Sequence, residues 1–341
     1  MLDLLLGILQ GIYNSNNING YNQGYSNNIN QYLKGDLSLK NIATSQQLLY
    51  LKNSGQLNKV SIPAFISNDE MNINYSPLTK IDFYKIYLKM IVEDRESISL
   101  NYYGINQGQF NDIFKIAQDS FEEFANLYPE LTSYFSGIAV RSSYGRTQGT
   151  LSLSFSWDNN FGQVFSFNDI QETIYACAFI INELRKNNKI TDYMSEYEKA
   201  KVIYQWVIFH SQYANENNSR LDYTPSSFLF YGKAVCQAYV GVFNLLCKME
   251  KINITGISGK TIHSKNGSTH IWSFAILDGK QVYIDVTWGD PVLNNQNLLR
   301  MQGIDPENIC DFTYFDIPKY ELMKSHNWND GYYENLIINK K

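Results

Sequence analysis

The sequence predicts an α+β protein that combines a helix carrying a cysteine with an antiparallel β-hairpin. Gly232 is followed by an apolar-periodic run through Cys247, which is typical of an amphipathic helix. Further along, two alternating apolar runs flank Asp278-Gly279. An Asp-Gly dipeptide between such runs is a strong signal for a β-hairpin. The C-terminal half therefore combines one buried helix with at least two paired strands.

The composition fits a folded chain with a sizeable core. The protein has 341 residues, of which 44% are hydrophobic and only 18% charged, which excludes a wholly disordered polyelectrolyte. Lys and Arg number 28 against 33 Asp and Glu, so the formal net charge is -5. There is no overall positive field to hold phosphate backbones, and nucleic acid is not expected as a partner.

Pattern changes along the chain predict four regions. Residues 1–35 are an apolar segment followed by an Asn-rich arm, because residues 14–30 are of low complexity. Residues 36–93 form a helical scaffold region, and residues 94–190 form a small α+β module with three strand patterns and two helical ones. Residues 191–341 form the catalytic domain, which opens with a capping-box signature at Ser195–Glu198.

The first ten residues are apolar but contain Asp3 and no Lys or Arg, so they make a poor signal peptide. They are also much shorter than the roughly 20 residues that a membrane span needs, and no transmembrane span is expected. A short helix packed on the body is the first interpretation. Docking of residues 1–30 to a larger assembly is the alternative.

The four cysteines are too few and too scattered for a disulfide framework, and no CxxC pair suggests zinc. Cys236 is predicted to lie in the first turn of its helix. Unpaired N–H groups and the helix dipole stabilise a thiolate at that position, and the thiolate is the nucleophilic form. Cys236 is therefore a candidate nucleophile.

His270 and Asp285 flank the predicted hairpin turn. His270 lies eight residues before it and Asp285 six residues after it, so the two side chains are expected on adjacent strands. A carboxylate beside a histidine fixes its tautomer and stabilises the imidazolium. With Cys236 these residues predict a Cys-His-Asp triad.

The sequence at these residues resembles the bacterial transglutaminase-like superfamily. The resemblance is carried by GKAVCQAYV and THIWSFAILDGKQVYIDVTWGDP, and more weakly by YEKAKVIYQWVIFHSQYA and YFDIPKYELMKSHNW, which together span about Ser195–Trp328. It implies a papain-like fold, with Cys236 as nucleophile, His270 as general base and acid, and Asp285 as the residue that orients the imidazole. It also favours secretion or the cell surface. Ala234 and Ala238 replace frequent glycines of the family, which puts substrate choice in question.

Other residues near the predicted triad are candidates for the oxyanion site or the cleft. Asp290 is the alternative third triad member, although its place before Pro291 favours a turn. His210 and His326 are expected to be structural, with His326 able to border the cleft, and His263 is expected in a solvated loop. The remaining candidates for the oxyanion donor or the cleft lining are Gln237, Trp206, Tyr239, Trp272 and Trp288.

These parts predict an acyl-transfer enzyme that forms a thioester with a peptide or glutamine-type amide. Hydrolysis as a protease or amidase, on proteins or peptides that include those of the cell wall, is the first hypothesis, and protein cross-linking is the second. A surface or assembly protein that uses the fold only for binding is the third. No cofactor is expected, and no metal, because no carboxylate spacing resembles a calcium site.

Overall fold

A computed structural model describes residues 36–73, 76–159, 164–214, 219–262, 268–290 and 310–338. The predicted N-terminal segment and arm, residues 1–35, and the predicted loop around His263 lie outside the described residues. None of the helices within these ranges is long and apolar enough to cross a membrane.

Helices make up most of the first two thirds of the described chain. The longer ones bury one face each and begin with side-chain caps, as the capping boxes at Thr79 and Ser195 illustrate. The described α-helices are Ser45–Asn53, Asn68–Met71, Lys80–Val92, Gln107–Leu127, Pro129–Thr132, Phe167–Lys186, Glu196–His210, Pro225–Tyr231, Cys236–Met249, Lys319–Leu322 and Tyr332–Ile338.

The described strands form two main sheets and a short parallel pair. Strands β1 (Ser97–Tyr103), β2 (Phe135–Gly145) and β3 (Gln148–Trp157) form an antiparallel sheet of order β1-β3-β2. Strands β4 (Gln212–Tyr213) and β5 (Lys233–Ala234) pair in parallel. Strands β6 (Asn253–Thr261), β7 (Thr269–Leu277), β8 (Lys280–Ile284), β9 (Phe315–Ile317) and β10 (His326–Asn327) form an antiparallel sheet of order β10-β6-β7-β8-β9.

The cysteine helix, Cys236–Met249, lies at the centre of the core. It packs against β6 and β7 of the five-stranded sheet and against helices Phe167–Lys186 and Glu196–His210. Almost every residue of this helix after Gln237 is buried, which fits its high apolar content. The structure confirms the predicted α+β fold with a helix-borne cysteine packed on an antiparallel sheet.

The hairpin that holds the histidine forms at the predicted turn. Asp278 and Gly279 have φ values of 49° and 79°, a left-handed pair that Asp-Gly adopts readily between β7 and β8. The predicted strand β1 and the predicted helix over residues 167–186 also form at their expected places. Strand β8 ends at Ile284, so Asp285 directly follows the strand instead of lying on it.

The small α+β sheet and the cysteine helix share one continuous buried cluster. Lys248 on the cysteine helix forms an ion pair with buried Glu130 at 2.6 Å. Thr255 and Ser258 of β6 donate hydrogen bonds to the backbone oxygen and the side-chain oxygen of Asn126. These contacts join elements on both sides of residue 190. The boundaries of the four predicted regions stay a prediction.

Candidate active site

Cys236 is the first residue of its helix. The preceding segment is held by the parallel β4–β5 pair and by a hydrogen bond from the Val235 N–H to the Asp222 carbonyl at 2.9 Å. As the first two helical residues, Cys236 and Gln237 have backbone N–H groups that no carbonyl of the same helix can accept. Both side chains are partly exposed, whereas Cys177, Cys247 and Cys310 are buried. Among the four cysteines, Cys236 is therefore the one that a reagent or substrate can approach.

His270 lies on β7, and its ring nitrogen Nε2 is 2.8 Å from the Asp285 Oδ2 atom. Both residues are buried, with exposed fractions of 7% and 0%. The imidazole uses Nε2 for the carboxylate, so its other nitrogen, Nδ1, is left for Cys236, whose side chain also hydrogen-bonds to His270. The structure thus brings together all three residues of the predicted triad.

Asp285 receives four hydrogen bonds. Its Oδ1 atom accepts from the backbone N–H groups of Thr287 and Trp288, both at 3.1 Å, and its Oδ2 atom is bonded to His270 and to His326 at 3.1 Å. Burial raises the pKa of the Asp285 carboxyl, but the charges and hydrogen bonds of the two imidazoles outweigh it and hold this pKa well below its usual range. Asp285 is therefore an anion at neutral pH.

The same carboxylate controls the protonation of His270. Burial lowers the pKa of the His270 imidazole, but the charge and hydrogen bond of Asp285, followed by the interaction with Cys236, raise it to about 10. An imidazolium at neutral pH is the partner that stabilises a Cys236 thiolate. The arrangement can therefore hold a thiolate–imidazolium pair.

His270, Asp285 and His326 also offer three ligand atoms within 4.8 Å of one another. Two nitrogen or oxygen ligands of one tetrahedral zinc ion, each at about 2.0 Å from the metal, stand roughly 3.3 Å apart. The 2.8 Å separation between His270 Nε2 and Asp285 Oδ2 is shorter and matches a direct hydrogen bond. The three side chains fit one another better than they fit a metal ion.

Residues 185–288 match the sequence profile of the transglutaminase-like superfamily. The match covers under a third of the chain. The matched region contains the cysteine helix, the hairpin and the whole predicted triad. We call residues 185–288 the transglutaminase-like core.

Curated relatives and a solved structure share parts of the chain. Kyphoscoliosis peptidase from Mus musculus is 25% identical over 125 residues, which is 33% of this chain and 19% of that protein. The Homo sapiens protein is 24% identical over 111 residues, 29% of this chain and 17% of its own. The chain therefore covers under a fifth of these relatives. A crystal structure of a TGase shows 15% identity, covers 56% of this chain and 51% of its own, and has a TM-score of 0.29.

Aromatic side chains enclose the histidine of the transglutaminase-like core. The ring of Trp288, half-buried, lies 5.8 Å from that of His270, and Trp272, fully buried, lies 5.9 Å from it on the same strand. Both tryptophans also contact His326, with centroids 4.4 and 4.7 Å away. The two predicted cleft tryptophans thus pack directly on the imidazoles.

The remaining cleft candidates lie in different places. Trp206 is buried and its indole N–H donates to the Ile42 carbonyl at 2.8 Å, so this donor is already used within the scaffold and does not suit an oxyanion. Tyr239, one turn after Cys236, is buried and donates its hydroxyl to Asp290 at 2.5 Å. Asp290, the alternative third triad member, is thus bonded to a tyrosine, whereas Asp285 is bonded to His270.

His326 is the main residue of the site that the sequence did not reveal. We expected a structural residue that could border the cleft, but His326 is bonded directly to Asp285. Its only signal was the weak resemblance of the downstream stretch ending in SHNW. His210, in contrast, stacks on Trp206 at 4.2 Å and bonds through Nδ1 to the Trp206 carbonyl, as a structural histidine would.

Proposed function

We propose that this protein is a thiol-dependent acyl-transfer enzyme that forms a thioester between Cys236 and a peptide or glutamine-type amide. The observation that supports it most is the alignment of an accessible cysteine at a helix N-terminus with a buried His270–Asp285 pair. Each part has the chemical role that nucleophilic catalysis requires: a nucleophile, a proton carrier and an orienting carboxylate.

In the first step the Cys236 thiolate attacks the carbonyl carbon, and the carbonyl π electrons move to oxygen. The backbone N–H groups of Cys236 and Gln237 are the nearest candidates to bind this oxyanion, since neither can be used within the helix. When the tetrahedral species collapses, the carbon–nitrogen bond breaks and the His270 imidazolium gives its proton to the departing nitrogen. A thioester and a neutral His270 remain.

In the second step the neutral His270 accepts a proton from an incoming nucleophile. Water as nucleophile gives a carboxylic acid and frees Cys236, which is hydrolysis. A lysine amine gives a new amide, which is cross-linking. We place hydrolysis first, because the name of the curated relatives is that of a peptidase.

The proposed substrates are proteins or peptides, including peptides of the bacterial cell wall. His270 and Asp285 are buried and Trp288 packs on the His270 ring, whereas Cys236 is partly exposed. A substrate can therefore reach the site at Cys236. An extended peptide that reaches the helix N-terminus would present its carbonyl there. A location at the cell surface or outside the cell would give access to such substrates, and docking of residues 1–30 to a larger assembly would supply another route.

The test is a reaction of the full chain with unfolded casein and, separately, with muropeptides, each with and without a fluorescent primary amine. Hydrolysis predicts new N-termini or released ammonia without amine incorporation, whereas cross-linking predicts labelled substrate. A Cys236→Ala variant should lose either product, and Cys247→Ala, which removes a buried thiol, is the matched control. Unchanged biological activity of Cys236→Ala would overturn the proposal in favour of a binding protein.

A further inference from the structure

We propose that His326 is a positioning residue for this reaction, one that holds the Asp285 carboxylate in the orientation that His270 requires. The inference rests on the proposed function, because it concerns the same site. His326 is bonded directly to Asp285, so its role would be exerted through that carboxylate.

Two imidazoles share one oxygen of Asp285. Nε2 of His270 lies 2.8 Å from Oδ2 and Nε2 of His326 lies 3.1 Å from it, while Oδ1 is bonded to two backbone N–H groups. An ionised carboxylate has about four acceptor positions, and here all four are used. Two donors fix each oxygen, so the carboxylate group cannot rotate without losing hydrogen bonds.

The network also determines where the protons lie. Ionised Asp285 can only accept hydrogen bonds, so both Nε2 atoms carry a proton. Nδ1 of His326 lies 2.8 Å from the Ser325 hydroxyl oxygen, which is also 3.3 Å from the Leu322 carbonyl. Ser325 can donate to Nδ1, or accept from it and donate to Leu322. His326 therefore keeps both of its partners in either protonation state.

The position of His326 is rigid. Strand β10 pairs with β6, where His326 is opposite Thr261, and its side chain is 1% exposed. Its ring packs against those of Trp272 and Trp288. A side chain at Gly259 would collide with Trp272 and with the Asn327 carbonyl, so the glycine permits this close packing. A ring held in this way can fix its partner.

Loss of the Nε2–H donor would leave His270 as the one remaining partner of Oδ2 among the described residues, with Oδ1 still bonded to two backbone N–H groups, so the position of Oδ2 relative to His270 would be less firmly fixed. The expected consequence is a loss of the imidazolium–thiolate pair at Cys236 while the fold stays intact. For comparison, removing an outer partner of a catalytic metal ligand typically costs roughly tenfold to a hundredfold in activity. We expect a decrease of that size here.

Two amide variants of His326 provide the test. A glutamine amide can take the place of Nε2, whereas an asparagine amide is shorter and takes the place of Nδ1, so His326→Gln keeps the contact with Asp285 and His326→Asn loses it. We expect His326→Asn to slow alkylation of Cys236 by iodoacetamide at pH 6 by roughly tenfold or more. We expect kcat to fall to the same extent at unchanged KM, with most of the rate restored in His326→Gln.

His210→Asn is the matched control, because His210 is a partly buried histidine whose Nδ1 bonds to the Trp206 carbonyl and not to Asp285. His210→Asn should leave both the alkylation rate of Cys236 and kcat near the wild-type values. Equal rates for wild type and His326→Asn, or equal losses in the Asn and Gln variants at matched circular dichroism spectra, would overturn the role of His326. If Cys236 of the wild type is itself no more reactive than the other cysteines, the proposed function fails instead, and the two failures are thereby distinguished.

Discussion

The imidazoles of His210 and His270 have opposite electrostatic environments. Burial lowers the pKa of both imidazoles, and at His210 it outweighs the opposing hydrogen bonds to backbone carbonyls, so the pKa of His210 falls to about 4. His270 faces the anionic Asp285, which reverses the effect and raises its pKa to about 10. A single carboxylate thus decides which imidazole is charged at neutral pH.

An NMR titration of the imidazole nitrogens tests this difference. We expect His270 to stay protonated through pH 8 and to lose its proton as the pH rises through about 10, whereas His210 stays neutral until the pH falls toward 4. In Asp285→Asn the midpoint of His270 should move to lower pH, since the anion is gone. A midpoint for wild-type His270 at or below 6.5 would contradict this account of the site.

Asp290 gives a second pH-dependent prediction. Burial raises the pKa of its carboxyl to about 7, against the opposing hydrogen bond from Tyr239. Between about pH 4 and 7 the unfolded state releases this proton and the folded state keeps it, so the contribution of Asp290 to stability is present below pH 4 and lost as the pH rises through 7. Asp290→Asn should remove this loss, because an amide has no charge.

Urea unfolding of wild type and Asp290→Asn at pH 4 and pH 8 measures the effect. We expect the variant to gain on the order of 1 kcal/mol over the wild type at pH 8 and little at pH 4. Asp285→Asn is the contrasting variant, since that carboxyl is stabilised as an anion and its replacement should destabilise the fold at pH 8. If Asp290→Asn is less stable than the wild type at pH 8, the pKa of Asp290 is not raised in the folded state.

At the scale of elements, the sequence predicted the turns, helix caps and helix starts correctly. The Asp278-Gly279 turn, the capping box at Ser195 and the helix start at Cys236 all form as expected, because each depends on the backbone preferences of a few adjacent residues. The hairpin then places His270 beside Asp285 through its register.

The position of His326 could not be predicted in this way. It lies on a strand of two residues, and its contact with Asp285 spans 41 positions in the chain, which no local periodicity records. The hydrogen bond of Trp206 could not be predicted for the same reason, because its partner is the carbonyl of Ile42, 164 residues away. Contacts of this kind depend on how whole elements pack.

The hairpin turn is tied to the start of helix Glu196–His210. Asp278 accepts hydrogen bonds from the backbone N–H groups of Glu196 and Tyr197, and its own N–H donates to the Glu196 carboxylate at 2.7 Å. Because Asp278 also has φ of 49°, Asp278→Ala removes a helix cap and adds backbone strain. We expect a lower free energy of unfolding, measured as a lower midpoint of urea denaturation.

Asp278→Asn is the control for that change. Asparagine tolerates a left-handed backbone, and its one amide oxygen can accept from one of the two helix N–H groups, so Asp278→Asn should be more stable than Asp278→Ala and less stable than the wild type. An alanine variant as stable as the wild type would show that the tie between turn and helix contributes little.

At the scale of the whole molecule, residues 127–130 of the small α+β module pack against the C-terminal end of the cysteine helix. Lys248 lies near the end of that helix, over the ring of Tyr128 at 4.2 Å, with Glu130 and the Leu127 carbonyl as its partners. The Glu130 side chain is fully buried and that of Lys248 is 10% exposed. The ion pair therefore joins the small α+β module to the helix that carries Cys236.

Removal of one partner of a buried ion pair leaves an uncompensated charge and typically costs about 3–5 kcal/mol. We expect Lys248→Met to destabilise the fold by an amount of this order, and Lys248→Met with Glu130→Leu to recover most of it, since the double variant removes both charges. A double-mutant cycle by urea denaturation gives the coupling energy. Additive losses in the two single variants would contradict a direct pairing.

The measurement that tests the central claim most directly is site-resolved alkylation of the native protein by iodoacetamide at pH 6, read by peptide mass spectrometry. An ordinary thiol with a pKa of about 8.5 is well under 1% ionised at that pH. Burial raises the pKa of the Cys177, Cys247 and Cys310 thiols further, so they serve as internal controls. We expect Cys236 alone to react rapidly, and His270→Ala to slow it. Reaction of Cys236 no faster than the buried cysteines, or an unchanged rate in His270→Ala, would contradict an activated thiolate and with it the proposed enzyme.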